Sequence, residues 1–304
     1  MESIHKTVLL NETIEGLNLS DKSVVVDATF GSGGHSKEIL DKYPDVKIIA
    51  LDQDESVWKK AKNKFKGQEK RILFIDANFG NLDLKSSSVK NFLETAPLNL
   101  DGIIFDLGLS SDQLENSERG FSFMKDEPLL MTMKENPELE DLTAMDIVNG
   151  WSEKSLADII YGYGEERFSR RIARRIVESR KEKKIETTRN LVQIIESSVP
   201  AVYKRGRLHF ATKTFQALRI AVNDELRTLE RGLKAGFKIL KKGGRMSVIS
   251  FHSLEDRIVK RFYKQKEKAG EAKLINKKPI IAGEEEIKNN PRARSAKLRV
   301  LEKI

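Results

Sequence analysis

The chain has 304 residues, 39% of them hydrophobic and 33% charged, with a formal net charge of +9, a pI near 9.4 and no cysteine. That is the profile of a soluble globular protein large enough for one big domain or a domain carrying an insertion, and no apolar run approaches the roughly 18 to 20 residues of a membrane span. The lack of cysteine excludes disulfides, thiolate catalysis and Cys-ligated zinc, and with the last a zinc-dependent base deaminase; the excess of cations favours a polyanionic partner. The opening residues Met1-Glu2-Ser3-Ile4-His5-Lys6 carry an acid and no apolar leader core, so a cytoplasmic protein without a membrane partner is expected.

The first strong element is the β-branched run Val24-Val25-Val26, which closes on Asp27 and breaks into Gly31-Ser32-Gly33-Gly34 before a helical pattern begins. Strand, tight turn and helix in that order make a nucleotide-type cofactor site, because glycine accepts positive φ and bares backbone N–H groups at a helix N-terminus. The second strand, Lys47-Ile48-Ile49-Ala50-Leu51, ends in Asp52, where an α/β sheet sets an acid against ribose hydroxyls. The dinucleotide fingerprint needs a further glycine where Ser36 stands, so the pattern is G-x-G-G. This suits S-adenosylmethionine, which has a ribose but no pyrophosphate to cradle. A nicotinamide enzyme, and a turn serving only the fold, stay open on these residues alone.

Further strands are expected at residues 71–76 and 100–108, which gives a repeated βα alternation and an α/β fold. The fourth strand ends in Asp106-Leu107-Gly108, at the edge where open α/β sheets hold ligands. A base amine keeps its lone pair delocalised into the ring, so its methylation calls for acceptors on the N–H hydrogens, and Asp106 is the candidate. The match is by position, since the Asp/Asn-Pro-Pro-aromatic motif of DNA amino methyltransferases is absent; a turn-capping Asp106 is the alternative.

From about residue 112 to 207 the pattern turns helical, which reads as an inserted domain (112–207) splitting a discontinuous one (1–111 and 208–304). Within it Phe168, Ile172 and Ile176 recur at intervals of four, and Arg170, Arg171, Arg174 and Arg175 project around the remaining face, a candidate RNA-binding surface with a solvated ion-paired face as the alternative. Phe215, Leu218, Val222, Leu226, Leu229 and Leu233 predict one long amphipathic helix, followed by a turn and buried strand over 243–252 and a polar, exposed stretch over 264–294. None of the four histidines, His5, His35, His209 and His252, has metal-ligand spacing, so no metal is expected. His252, just past that strand, is a second candidate for the substrate pocket, with a structural role as the alternative.

Eight motifs in order span nearly the whole chain: His5-x-x-Val8-Leu9-Leu10, residues 27–36, Asp106-Leu107-Gly108, Glu118-Arg119-Gly120-Phe121-Ser122-Phe123, Tyr163-Gly164-Glu165-Glu166-Arg167-Phe168, Thr214-Phe215-Gln216-Ala217-Leu218-Arg219, Ser250-Phe251-His252-Ser253-Leu254-Glu255-Asp256-Arg257 and Asn290-Pro291-Arg292-Ala293-Arg294-Ser295. Together they resemble the bacterial 16S ribosomal RNA cytosine-N4 methyltransferase family. The resemblance implies a Rossmann-like class I methyltransferase sheet with a helical insertion that helps to hold RNA. It also implies methyl transfer from S-adenosylmethionine to N4 of a decoding-region cytosine, in a small subunit or an assembly intermediate, by a protein for which a homodimer is compatible. By similarity the cofactor contacts fall on Gly33, Gly34, His35, Asp52, Phe79, Asp106 and Gln113. The glycine N–H groups would lie near the methionine portion, Asp52 at the ribose diol, Phe79 along the adenine, and Gln113 would supply an amide hydrogen bond. A cofactor-binding RNA scaffold and a methyltransferase of DNA base amines are the rival readings.

The chain departs from the family pattern after Phe123. Where the family reads Gly-Pro-Leu-Asp-Met-Arg-Met-Asp, residues 127–134 read Glu127-Pro128-Leu129-Leu130-Met131-Thr132-Met133-Lys134, which alters the polarity of a loop expected to order over the target base. Asp112 and Phe210 replace prolines, which changes loop stiffness.

Overall fold

The computed structural model describes residues 6–82, 84–94 and 99–304, so the His5 position of the first motif lies outside the described residues. By contacts the chain divides into two compact units, Met1–Gly108 with Leu226–Ile304, and Leu109–Glu225.

The first unit is built on seven strands, β1 (Val24–Asp27), β2 (Lys47–Asp52), β3 (Ile72–Asp76), β4 (Leu100–Asp106), β5 (Leu240–Ser250), β6 (Ala272–Leu274) and β7 (Lys297–Lys303), in the order β3-β2-β1-β4-β5-β7-β6. The β1–β2, β2–β3, β1–β4 and β4–β5 pairs are parallel, and β7 runs antiparallel to β5 and β6. Parallel strands are covered on both faces, and the sequence pattern follows: Val25, Ile48, Ala50 and Ile104 pack into one core with Ile39, Leu40 and Phe65, while Val26, Ile49, Leu51, Ile103 and Phe105 join Leu229, Leu233 and Phe237 in another. Their alternation along each strand sends neighbours to opposite faces, so an apolar run feeds two cores at once. Since β2 and β4 flank β1 on opposite sides, the strand order reverses there, and the carboxyl ends of β1, β2 and β4 border the crevice where such sheets hold ligands.

The stretch expected to be polar and exposed holds more structure than its composition suggests. It contains the end of helix Ser253–Lys268, the edge strand β6 and helix Glu284–Asn289, whose Glu286 carboxylate accepts the Leu9 backbone N–H at 2.8 Å. Three-residue β6 is too short to read from sequence and exists because β7 offers it a partner.

The long helix expected from Phe215 to Leu233 is two helices, Thr212–Asn223 and Glu225–Ile239, separated at Asp224, which sits in the left-handed region at φ 47. Phe215 and Leu218 are core residues of the second unit, and Leu229 and Leu233 of the first. The second unit accordingly reaches Glu225, past the boundary at residue 207 expected from composition, and begins at Leu109 where 112 was expected.

That second unit is helical, with helices Ala144–Gly150, Glu153–Gly162, Ser169–Glu182 and Thr188–Ser198 closing on Ile147, Leu156, Ile160, Ile172, Ile176 and Leu191. The divergent segment 127–134 is part of its interior. Leu129 and Met131 are buried, the Glu127 carboxylate accepts the Gly120 N–H at 3.0 Å, and the Glu127 N–H donates to the Thr188 hydroxyl at 3.1 Å. Asn223 ties the same segment down, accepting the Met133 N–H and donating to the Met131 carbonyl, each at 2.8 Å. Of the departures from the family pattern, Glu127 supplies a buried hydrogen bond within this unit, while Leu129 and Met131, which match the pattern, supply the packing.

Gly120 makes that arrangement possible, at φ +73 and with a built Cβ only 2.3 Å from the Pro128 carbonyl oxygen. Gly120→Ala is expected to destabilise the second unit by about 2 kcal/mol or more. Amide hydrogen exchange of helix Thr188–Ser198 reads this directly. Unchanged protection there would show that the loop relaxes without cost.

Candidate active site

The turn after β1 is shaped by packing from below. Gly31 and Gly33 take φ 50 and 69, and a Cβ on Gly33 would lie 2.4 Å from the Phe30 ring, which itself packs against Trp58, Phe65 and Phe74. At Gly34 a Cβ would lie 1.7 Å from the Thr7 hydroxyl oxygen. Gly33 is the N-cap of helix Gly34–Lys42 and offers no capping side chain, so the helix N-terminus presents backbone donors and its dipole.

Four consecutive parallel strands close on aspartate: Asp27, Asp52, Asp76 and Asp106. Asp52 braces the glycine turn, its Oδ2 accepting the Gly31 N–H at 2.7 Å and its Oδ1 the Asp54 N–H at 3.0 Å. Burial pushes its carboxyl up to about 6, against those two amides, which favour the ionised form. Asp27, deeper, accepts the Ser36 hydroxyl at 2.6 Å and the Thr29 N–H at 3.4 Å, and burial likewise lifts it to about 6. It was not among the residues expected to serve the site. The recurrence of an acid at the ends of β1 to β4 is the signal that could have found it; no such signal marks Thr29, whose hydroxyl accepts the Asp106 N–H at 2.6 Å.

Asp106 is the most perturbed of these carboxyls. Burial, followed by the charges of Asp27 and Glu255, pushes it up to about 8. Its Oδ2 lies 3.8 Å from His35 Nδ1, and its buried Oδ1 makes no hydrogen bond among the described residues. A buried acceptor without a partner costs about 1–3 kcal/mol.

Phe79 follows β3 on a short turn, Phe79–Asn81, edge-on to Phe105 at 5.6 Å. Gly232 lets the ring settle onto its helix, since a Cβ there would be 2.7 Å from Phe79 Cδ2. Gly33, Gly34, His35, Asp52, Phe79 and Asp106 thus belong to the first unit, at the carboxyl ends of β1 to β4 or just beyond them. Gln113 belongs to the second unit, in a capping box in which its Oε1 accepts the Ser110 N–H and its own N–H donates to Ser110 Oγ, at 3.0 and 3.1 Å.

His252 caps helix Ser253–Lys268. Its Nδ1 accepts the Glu255 N–H at 3.4 Å, and Glu255 Oε2 returns the bond from the His252 N–H at 3.2 Å. The His252 Nε2 lies 3.2 Å from Glu255 Oε1 but, like Asp106 Oδ1, is buried and makes no hydrogen bond among the described residues. In the second unit Arg170, Arg171, Arg174 and Arg175 are all exposed on helix Ser169–Glu182; Arg174 approaches Glu153 at 3.7 Å and Arg175 Glu178 at 3.3 Å. Exposed pairs of this kind contribute about 0–1 kcal/mol and leave the cations available to other anions.

A sheet of this order, with one antiparallel strand, a glycine turn after β1 and acids closing β2 and β4, defines a Rossmann-like class I methyltransferase, whose methyl donor is S-adenosylmethionine. Residues 2–304 match the MraW methylase family, and the chain belongs to it. Ribosomal RNA small subunit methyltransferase H of Clostridium botulinum (strain Kyoto) is 46% identical over 321 residues, the whole of both chains. The protein of the same name from Nostoc punctiforme is 48% identical over 300 residues, covering 99% of this chain and 94% of that one. Among solved structures, an rRNA methylase from Streptococcus thermophilus matches with a TM-score of 0.43 and 12% identity over 99% of each chain. Among the described residues no helix is long and apolar enough to cross a membrane.

Proposed function

We propose that this protein is a cytoplasmic small-subunit ribosomal RNA methyltransferase that transfers the methyl group of S-adenosylmethionine to the exocyclic N4 of a decoding-region cytosine in 16S ribosomal RNA. Family membership and the full-length relatives support the methyl transfer and the ribosomal RNA substrate. The observation that carries the amine is Asp106, a carboxyl at the carboxyl end of β4 with one buried, unpartnered oxygen.

The residues present fit the cofactor. The uncapped N-terminus of helix Gly34–Lys42, with the backbone of Gly33, Gly34 and His35, suits a carboxylate-bearing methionine portion. Asp52, a carboxylate at neutral pH, would take the ribose hydroxyls, and the Phe79 ring would flank the adenine. Bound S-adenosylmethionine supplies an electrophilic methyl on its sulfonium. Asp106 Oδ1 would accept an N4–H hydrogen bond, concentrating the amine lone pair for attack along the carbon–sulfur axis, and would receive the proton that N4 loses once it is methylated. To take that proton Asp106 must be ionised, and its raised value makes this a pH-dependent step. The target base would first leave its stack, at a cost of a few kcal/mol. The helical insertion would hold the surrounding RNA.

The test is to incubate the protein with methyl-labelled S-adenosylmethionine and small ribosomal subunits lacking their own modification, then to identify the labelled nucleoside by mass spectrometry. N4-methylcytidine is the expected product. Label in duplex DNA would place the enzyme among DNA methyltransferases, and calorimetric cofactor binding with no transfer to any nucleic acid would make it a scaffold.

A further inference from the structure

We infer that the second unit carries a phosphate-binding patch for single-stranded RNA at one end of helix Ser169–Glu182, built from Arg167, Arg171 and the loop Lys204-Arg205-Gly206-Arg207; this rests on the RNA substrate proposed above. The sequence offers a belt of arginines around this helix and does not rank them. Tertiary contacts do.

Phe168, the N-cap of the helix, packs edge-on against Tyr203 with ring centroids 5.0 Å apart. The Arg167 guanidinium lies over both rings, 4.7 Å from Phe168 and 5.1 Å from Tyr203, and the Arg171 guanidinium lies 5.8 Å from the Phe168 ring. Tyr203 is itself fixed, because its hydroxyl donates to the carboxylate of buried Glu166, whose other oxygen accepts the Phe168 N–H at 2.8 Å. The two cations are therefore pre-oriented on an aromatic base anchored to a buried acid, which lowers the entropy lost when their N–H forks meet a phosphate.

Tyr203 also brings the loop to the same place. Helix Ala201–Lys204 ends in a turn where the Arg205 and Gly206 N–H groups donate to Val202 and Tyr203 carbonyls, at 3.3 and 3.1 Å, and Val202 and Leu208 on either side are 84% and 59% exposed. Arg205 and Arg207 stand on this projecting loop. Against these cations stand two exposed acids, Glu165 and Glu196, the second already 3.3 Å from Lys204 Nζ. The surplus positive charge, with arginine predominating, fits the close phosphate spacing of an unpaired strand.

The test is fluorescence anisotropy of labelled single-stranded oligocytidylate with the full chain across a salt series. Reversing Arg205 and Arg207 together (Arg205→Glu, Arg207→Glu) should weaken binding at least about tenfold and reduce the slope of log K against log salt by about 1.4, or 0.7 for each lost phosphate contact. The charge-matched control, Lys183→Glu with Lys184→Glu at the far end of the same helix, should change affinity less than about threefold on the same reasoning. Equal losses in the two double variants would show only a general charge field and overturn the patch. Displacement of the RNA by polyglutamate at matched charge would reassign the surface to acidic proteins and overturn it too. Absence of any salt-dependent RNA binding by the unaltered chain would remove the RNA reading itself.

Discussion

Asp106→Asn is expected to lower turnover on its RNA substrate by about 100- to 1,000-fold while leaving calorimetric cofactor affinity within a few-fold. Asparagine keeps an acceptor oxygen of similar shape but can neither carry the negative charge nor take the proton. In the unaltered enzyme the carboxyl sits at about 8, so kcat/KM should rise as pH climbs through that value, and the variant should lose this limb. The same group makes a separate prediction for stability. Its folded value lies above the ordinary aspartate value of 3.8, so the folded protein holds a proton that the unfolded chain has released, and stability falls as pH rises from about 4 through about 8. The substitution removes that slope, so the variant should melt higher than the unaltered protein at pH near 8 if Asp106 is the buried group responsible. A turnover loss under about threefold, with an unchanged pH limb, would take Asp106 out of the reaction.

Gly33→Ala is expected to weaken cofactor binding and to lower stability together. Alanine must hold φ 69 with its Cβ 2.4 Å from the Phe30 ring, and Phe30 cannot withdraw because it is wedged among three other aromatic rings. The left-handed conformation alone costs about 1–2 kcal/mol, and the clash adds to it. Relief by shifting the turn would break the 2.7 Å bond from the Gly31 N–H to Asp52 and displace the acid assigned to the ribose. Cofactor affinity should fall more than about tenfold by calorimetry, with a Tm several degrees lower. A variant of normal affinity would mean that the helix N-terminus is not where the cofactor's methionine portion lies.

Much of the first unit's first half was legible in the sequence because its signals are local. Valine and isoleucine runs make strands, glycine with positive φ makes the turn after β1, and the acids at 52 and 106 fall where parallel strands end. Asp27 was passed over because its value depends on depth, which one strand cannot report. The capping box at His252 is not legible in apolar periodicity, since it needs Glu255, three residues on, to fold back. The break at Asp224 was hidden because the apolar stripe is continuous across it, and periodicity records an apolar face without saying which core receives it. Segment 127–134 looked like a loop over a substrate, and its buried Leu129, Met131 and Glu127 depend on partners at 120, 188 and 223.

By itself the sequence determined the α/β class, the glycine turn, the acids at the ends of β2 and β4 and the family, since backbone sterics and apolar periodicity act between neighbours along the chain. Only the tertiary structure decided which core each half of the 212–239 stripe enters, that Asp106 keeps a buried oxygen without a partner, and which arginines share an aromatic base with Tyr203. Burial, desolvation and ring contacts are set by groups tens or hundreds of residues apart, and they exist only once the chain has closed around them.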